Sequence, residues 1–201
     1  MSPDKSPESL PHEWMGISDE IAHRLVEMAR EFRASGKEPA VPRSAATVVL
    51  LRPDRSVFLI RRLRGMAFGG MWAFPGGALE PGETPVDAAV RELQEETGVV
   101  VSPDSLVPWH RWLTPVFEPK RFDTWFFLTG LPPLQEPTLP EAEASHMQWI
   151  TLEEALTQHQ DGSLPMLPPT LITLTELSTY DSVEAMLSVT RDVSEPFTPE
   201  F

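Results

Sequence analysis

The sequence predicts an α/β sandwich: strands surrounding one central helix, with further helices at both ends. Three patterns predict it. A run rich in β-branched residues, Ala45–Leu51, is followed by a returning strand at Val57–Leu63, and further strands are expected beyond 106. Between them lies a strongly signalled helix, opened at Thr84 and closed at Gly98. Apolar residues repeat at helical spacing near both ends, at Ile21, Leu25, Met28 and Phe32 and at Leu171, Leu174 and Leu177. Layered strands and helices of this kind bury one shared core, and 201 residues can supply it.

In chain order, residues 1–16 read as a flexible leader and residues 17–40 as a helix packing on the domain, with Gly36 as its stop. The main domain is expected over 41–160. Ala45–Leu51 is its first strand, Pro53-Asp54-Arg55 a turn, and Val57–Leu63 the returning strand. Residues 64–71 form a glycine-bearing loop, and Trp72–Phe74 a short strand entering Pro75-Gly76-Gly77. Thr84, Pro85 and Asp87 have the order of a capped helix start. Strands are expected at 106–113, 122–129 and 146–150. Thr151 and Glu154 form a second capping box, and Asp181 with Glu184 is expected to cap a last short helix within a C-terminal extension, 161–201. The 22 prolines exceed a typical ~5% and gather near both ends and in 132–140 and 165–169, where they stiffen connections. The apolar faces of the terminal helices are candidates either to cover the core or to form a homodimer face.

Composition excludes several roles. The formal charge of −14 repels a polymeric nucleic-acid backbone, whereas a small phosphorylated substrate is compatible if bound metal cancels charge locally. There is no cysteine, hence no disulfide and no thiolate chemistry. No apolar run reaches the ~18 residues of a membrane span, and the N-terminal segment lacks the apolar stretch of a secretory signal. A cytoplasmic enzyme without membrane partners is the expectation.

The chemistry concentrates in GALEPGETPVDAAVRELQEETGV, residues 77–99. Glu92, Glu95 and Glu96 stand at i, i+3 and i+4 and share one helix face. Alone, they would suit a solvated acidic face with Arg91 as a weak partner. Val86, Ala89, Val90 and Leu93 make the opposite face apolar, however, so the helix packs. A glycine pair in front of it lets the backbone approach a ligand closely. Three clustered carboxylates suit a hard divalent cation that keeps sites open for phosphate oxygens.

The segment resembles the Nudix box, G-x5-E-x7-R-E-U-x-E-E-x-G-U with U a bulky apolar residue. Gly77, Glu83, Arg91, Glu92, Leu93, Glu95, Glu96, Gly98 and Val99 fill every defined position without a gap, and Phe74-Pro75-Gly76 matches the usual lead-in. The resemblance implies a Nudix α/β/α sandwich with a mixed central sheet. It implies Mg²⁺ or Mn²⁺ held by Glu92, Glu95, Glu96 and the Gly76 carbonyl, with Arg91 orienting the glutamates and Glu83 bracing the loop. The base for the attacking water is Glu92 or a glutamate outside the box. Glu143, six residues before Trp149, resembles the loop glutamate of many members, and Glu141 is its neighbour.

The implied substrate is a small diphosphate. Gly70 to Gly77 resembles the end of the signature of coenzyme A diphosphatases, with Met66 where that signature has arginine. Arg61, Arg62 and Arg64 precede it and are candidate phosphate contacts. Residues 112–128 and Leu167-Pro168-Pro169-Thr170 resemble the acyl-coenzyme A type, making Lys120 and Arg121 further candidates. Nucleoside triphosphates, nucleotide sugars and ADP-ribose are the alternatives, and a non-catalytic ligand-binding module is a third. Trp72, Trp109, Trp112, Trp125 and Phe127 are either core or stacking residues.

Overall fold

The computed structural model describes residues 19–63, 69–138, 144–199 and 201. The α/β sandwich is present. Helix α1 (Asp19–Ser35) precedes strands β1 (Arg43–Leu51) and β2 (Ser56–Arg62), then β3 (Trp72–Ala73) and β4 (Gly76–Ala78). Helix α2 (Pro85–Thr97) follows, then β5 (Val107–Leu113), β6 (Phe122–Gly130), β7 (Ala144–Thr151), α3 (Leu152–Gln160), α4 (Pro168–Leu177) and α5 (Val183–Leu187). The sheet runs β3-β2-β1-β6-β5, with β4 also on β1 and β7 also on β2. It is mixed: β1 and β6 are parallel, and the other pairs are antiparallel.

Strands β1 and β2 pair only next to their connection, at Leu51↔Val57. They then diverge, and the sheet fills the opening with β4 against β1 and β3 against β2. The short segment joining β3 to β4 is Phe74-Pro75, directly ahead of the glycine pair. The sheet therefore aims the start of the box into its own split.

Both faces of β1 are buried, which explains its unbroken apolar run. Ala46, Val48 and Leu50 pack with Phe58, Phe127 and the α2 residues Ala88, Ala89 and Leu93. Val49 and Leu51 face the other layer, where Leu152, Ala155, Leu171, Leu174, Leu177 and Met186 pack from α3, α4 and α5. Residue 197 adds one strand-like step outside β5: its N–H donates to the Arg111 carbonyl at 2.7 Å, and Leu113 N–H donates to its carbonyl at 2.8 Å. Such cover blunts an otherwise open sheet edge.

Helix starts and stops follow the sequence closely. Thr84 and Asp87 form the capping box of α2, and Thr151 and Glu154 that of α3. Gly36 and Gly98 adopt φ of +64° and +73°. One cap moves: the side chain capping α5 belongs to Ser182, which accepts from Ala185 N–H, and not to Asp181. Both residues have cap-forming side chains, so composition alone could not place the first turn.

Candidate active site

The site is built where α2 closes on the β3–β4 segment. Thr47 of β1 anchors that segment: its buried hydroxyl donates to the Pro75 carbonyl at 2.7 Å, and Val48 N–H donates to the same oxygen at 2.9 Å. Gly76 then lies against β1 so closely that an added Cβ would fall 2.3 Å from the Ala46 carbonyl oxygen. At Gly77 an added Cβ would fall 2.3 Å from Glu92 Oε1, so the missing side chain is the space the carboxylate occupies. Both glycines are required by close approach, one to a strand and one to a glutamate.

Arg91 organises the carboxylates. Its Nη1 donates to Glu92 Oε1 at 2.8 Å and to Glu95 Oε2 at 3.0 Å. Its Nε and Nη2 donate to the two oxygens of Glu83 at 2.7 and 2.9 Å, and Nη2 also reaches the Ala78 carbonyl at 3.1 Å. Glu96 is buried and accepts from Gly76 N–H at 2.7 Å. Thus Glu92 and Glu95 reach a common cationic nitrogen, while Glu96 is turned onto the loop. Among the described residues no three carboxylate or imidazole groups are gathered in a metal-holding arrangement. The donor set nonetheless suits a hard cation: all its ligands are oxygens, and two already converge on one positive centre.

Glu83 is tied from three sides, since its carboxylate also accepts from Glu80 N–H at 2.7 Å. The Arg91 guanidinium, then the Glu80 amide, draw its carboxyl from an ordinary 4.5 down to about 2, against a smaller opposing effect of desolvation. Bonds to Glu83, and then to Glu92 and Glu95, raise Arg91 against the effect of desolvation. A depressed carboxyl contributes stability above its unfolded value and loses it as pH falls through its folded value. The Tm difference between wild type and Glu83→Gln is therefore expected to be largest near neutral pH and to close between pH 4.5 and about 2. Melting curves across that range check this, and a gap that widens in acid contradicts it.

The structure separates the candidate phosphate contacts. Arg61 Nε donates to the Gly70 carbonyl at 3.2 Å, beside β3. Arg62 exchanges backbone bonds with Gly70 and Met71, holding the β2–β3 connection. Lys120 is exposed. Arg121 is buried, and its guanidinium donates to the carbonyls of Thr114 and Ala40, each at 3.0 Å. It braces the β5–β6 connection instead of facing solvent. Arg64, Glu141, Glu143 and Met66 lie outside the described residues. Trp72, Trp109, Trp112 and Phe127 are buried core residues. Trp125 is half-buried and carries the Arg111 guanidinium 4.3 Å from its ring centre.

Some groups were invisible as partners in the sequence. Arg111 forms a two-pronged pair with Asp123 at 2.9 and 2.7 Å, which depends on the β5–β6 register. His110 lies 3.1 Å from Glu176 of α4, and Arg191 lies 2.8 Å from the same carboxylate. Burial raises the Glu176 carboxyl, but these two neighbours outweigh it and the net direction is down. Thr47 did leave a signal, as the polar residue inside a buried apolar strand.

These elements define a class: an α/β/α sandwich with a carboxylate-bearing helix closed onto a glycine loop at a split in a mixed sheet. The NUDIX domain family matches residues 41–169, well over half of the chain. The chain belongs to the Nudix family. It is similar to Phosphatase NudJ of Escherichia coli (strain K12), with 37% identity over 87 residues, 43% of this chain and 55% of that protein. The chain therefore spans about half the length of the curated relatives it matches. Among solved structures it is similar to a NUDIX hydrolase from Alicyclobacillus acidocaldarius, with TM-score 0.68 and 27% identity over 78% of this chain and 99% of that one. A bifunctional NMN adenylyltransferase/ADP ribose pyrophosphatase from Francisella tularensis shares the fold, with TM-score 0.51 and 20% identity over 79% of this chain and 46% of that one. No helix among the described residues is long and apolar enough to cross a membrane.

Proposed function

We propose that the protein hydrolyses the diphosphate linkage of a small nucleoside diphosphate compound with the help of Mg²⁺ or Mn²⁺. One observation carries this reading. Glu92, Glu95 and Glu96 share one face of α2, and Arg91 and Gly76 N–H hold them beside a loop with room for a carboxylate.

In the proposed reaction the oxygen of a water attacks one phosphorus, and the bridging oxygen leaves with the other phosphate. Glu92 or Glu143 takes the proton of that water. Glu92, Glu95, Glu96 and the Gly76 carbonyl would hold the cation, which would polarise phosphoryl oxygens and offset the charge that develops. Arg91 sets the direction of Glu92 and Glu95, and Glu83 fixes Arg91. Arg61, Arg62, Arg64 and Lys120 are the proposed contacts to substrate anions. Arg121 acts indirectly, by holding the connection that carries Lys120. A homodimer remains part of the proposal, through the face of α1, because the apolar faces of α4 and α5 already cover the core.

The finer reading is coenzyme A or acyl-coenzyme A as substrate, supported by the stretch from Gly70 to Gly77 and by Arg61 and Arg62 ahead of it. A second reading keeps the reaction and changes the substrate to a nucleoside triphosphate, a nucleotide sugar or ADP-ribose; the likeness to a protein named a phosphatase suits it without choosing among them. Purified protein with Mg²⁺ should be offered coenzyme A, acyl-coenzyme A, ADP-ribose, a nucleotide sugar and nucleoside triphosphates. Release of 3′,5′-adenosine bisphosphate, abolished by a chelator and restored by Mg²⁺, is the expected result. Faster turnover of any other substrate overturns the coenzyme A reading, and an inert protein overturns the reaction itself.

A further inference from the structure

The last turn of α2 has an electrostatic problem. It carries Glu95 and Glu96 and no basic residue. Carboxylates at a helix C-terminus oppose the helix dipole, and these two also repel Glu92 one turn back. A turn so composed frays unless something outside the helix holds it. The Gly98 N–H closes one bond, to the Gln94 carbonyl at 2.8 Å.

Arg91 and Gly76 N–H hold the two carboxylates, the Thr97 hydroxyl joins the Leu93 carbonyl to Val99 N–H, and further support comes from the chain that leaves β6. Thr138 N–H donates to the Thr97 carbonyl at 2.8 Å. The Gln135 side chain grips Val100 at two points: its Oε1 accepts from Val100 N–H at 2.8 Å, and its Nε2 donates to the Val100 carbonyl at 2.9 Å. Pro137 between them is buried. At the other end, Leu131 N–H donates to the Leu51 carbonyl at 2.8 Å, while Glu136, next to Gln135, pairs with Arg52 beyond β1. Leu134, at the tip, is fully exposed and sits at φ +64°. A leucine in that region is strained, and strain persists only where surrounding bonds over-determine the backbone. No burial rewards Leu134 for its conformation, so the bonds of its neighbours dictate it.

We propose that residues 131–138 form a clamp on the glutamate helix, and that Gln135 is a positioning residue for Glu95 and Glu96. This rests on the reading of α2 as the catalytic helix. The clamp holds Thr97–Val100 at the end of the turn that bears both carboxylates, and misplacement there of about 1 Å is enough to slow turnover by up to about 100-fold.

The test compares Gln135→Ala with Arg52→Ala in the full chain. Arg52→Ala removes the largely exposed pair to Glu136, of a kind that contributes little, and leaves both Gln135 bonds to Val100 in place. Gln135→Ala is expected to lower kcat about 10- to 100-fold with KM near wild type. It should also speed hydrogen exchange at the Gly98 amide and reduce the rise in Tm produced by Mn²⁺ alone. Arg52→Ala should leave all three unchanged. Gln135→Glu, close to wild type in shape but lacking the donor, supplies the same comparison where the alanine variant does not fold. Wild-type kcat and Gly98 exchange in the Gln135 variants, or equal losses in Arg52→Ala, overturn the clamp. An inert wild type counts against the proposed reaction alone, because exchange and Mn²⁺ melting still judge the clamp.

Discussion

Glu92→Gln is expected to lower kcat by about 10²–10⁴-fold, the range for loss of a positioned acid or base, while Tm shifts by only a few degrees, as for a substitution that removes no packing. Two facts drive the asymmetry. The Glu92 side chain is 13% exposed, held between Arg91 Nη1 at 2.8 Å and the vacant side-chain position of Gly77. Glutamine fills that same volume and still offers Arg91 an acceptor, so the fold keeps its shape. What disappears is the charge, and with it both the capacity to take a proton and the strongest attraction to a cation. Glu95→Gln is the informative companion. Its side chain is 57% exposed and forms a single bond to Arg91, an i,i+4 pair of the kind that contributes little. Removing its charge also relieves repulsion at the end of α2, so its Tm should equal or exceed that of wild type. Steady-state kinetics and melting curves check both variants. If Glu92→Gln and Glu95→Gln both hydrolyse every substrate as fast as wild type, the glutamate face is not catalytic, and the ligand-binding alternative takes its place.

Local signals carried most of this architecture. The spacing of Glu92, Glu95 and Glu96, the capping residues Thr84 and Thr151, and the stops Gly36 and Gly98 each act within one or two helix turns, and each is found where the pattern put it. The strands were legible because β1 is buried on both faces and reads as a continuous apolar run. What sequence could not supply is register. The pairing of Gly76 with Thr47 places the box in the split of the sheet, and it depends on two strands of different length meeting at one step. Arg121 shows the same limit. A basic pair between two strands gives no sign that the fold will bring the Ala40 carbonyl beside Arg121, 81 residues away in the chain. The charge pattern of α2 was equally ambiguous: Arg91 stood out as a partner, but its simultaneous reach to Glu83, Glu92 and Glu95 needed the loop to fold back over the helix.

The adjacent glycines of the loop should respond in opposite ways to the same substitution. In Gly76→Ala the new methyl group would meet the Ala46 carbonyl oxygen at 2.3 Å and Thr47 Cα at 2.6 Å. Both are backbone atoms of β1, which is bonded to β4 on one side and to β6 on the other, so neither can yield without opening the sheet. The backbone at Gly76, with φ +156°, adds its own resistance to a side chain. A loss of about 3 kcal/mol, at the upper end for overpacking, is the expected result, read as a lower midpoint in urea. In Gly77→Ala the methyl group meets only the carboxylate of Glu92, at 2.3 to 2.6 Å. That is the free end of a flexible side chain and can swing aside. Stability should change by less than about 1 kcal/mol, but the displaced carboxylate should cost about 100-fold in kcat. One variant thus fails as a fold and the other as a catalyst, although the altered atoms are neighbours. If Gly77→Ala retains full activity, then Glu92 does its work from a position other than the one it holds against the loop. If Gly76→Ala is as stable as wild type, β4 is not fixed to β1, and the seating of the loop in the split of the sheet is wrong.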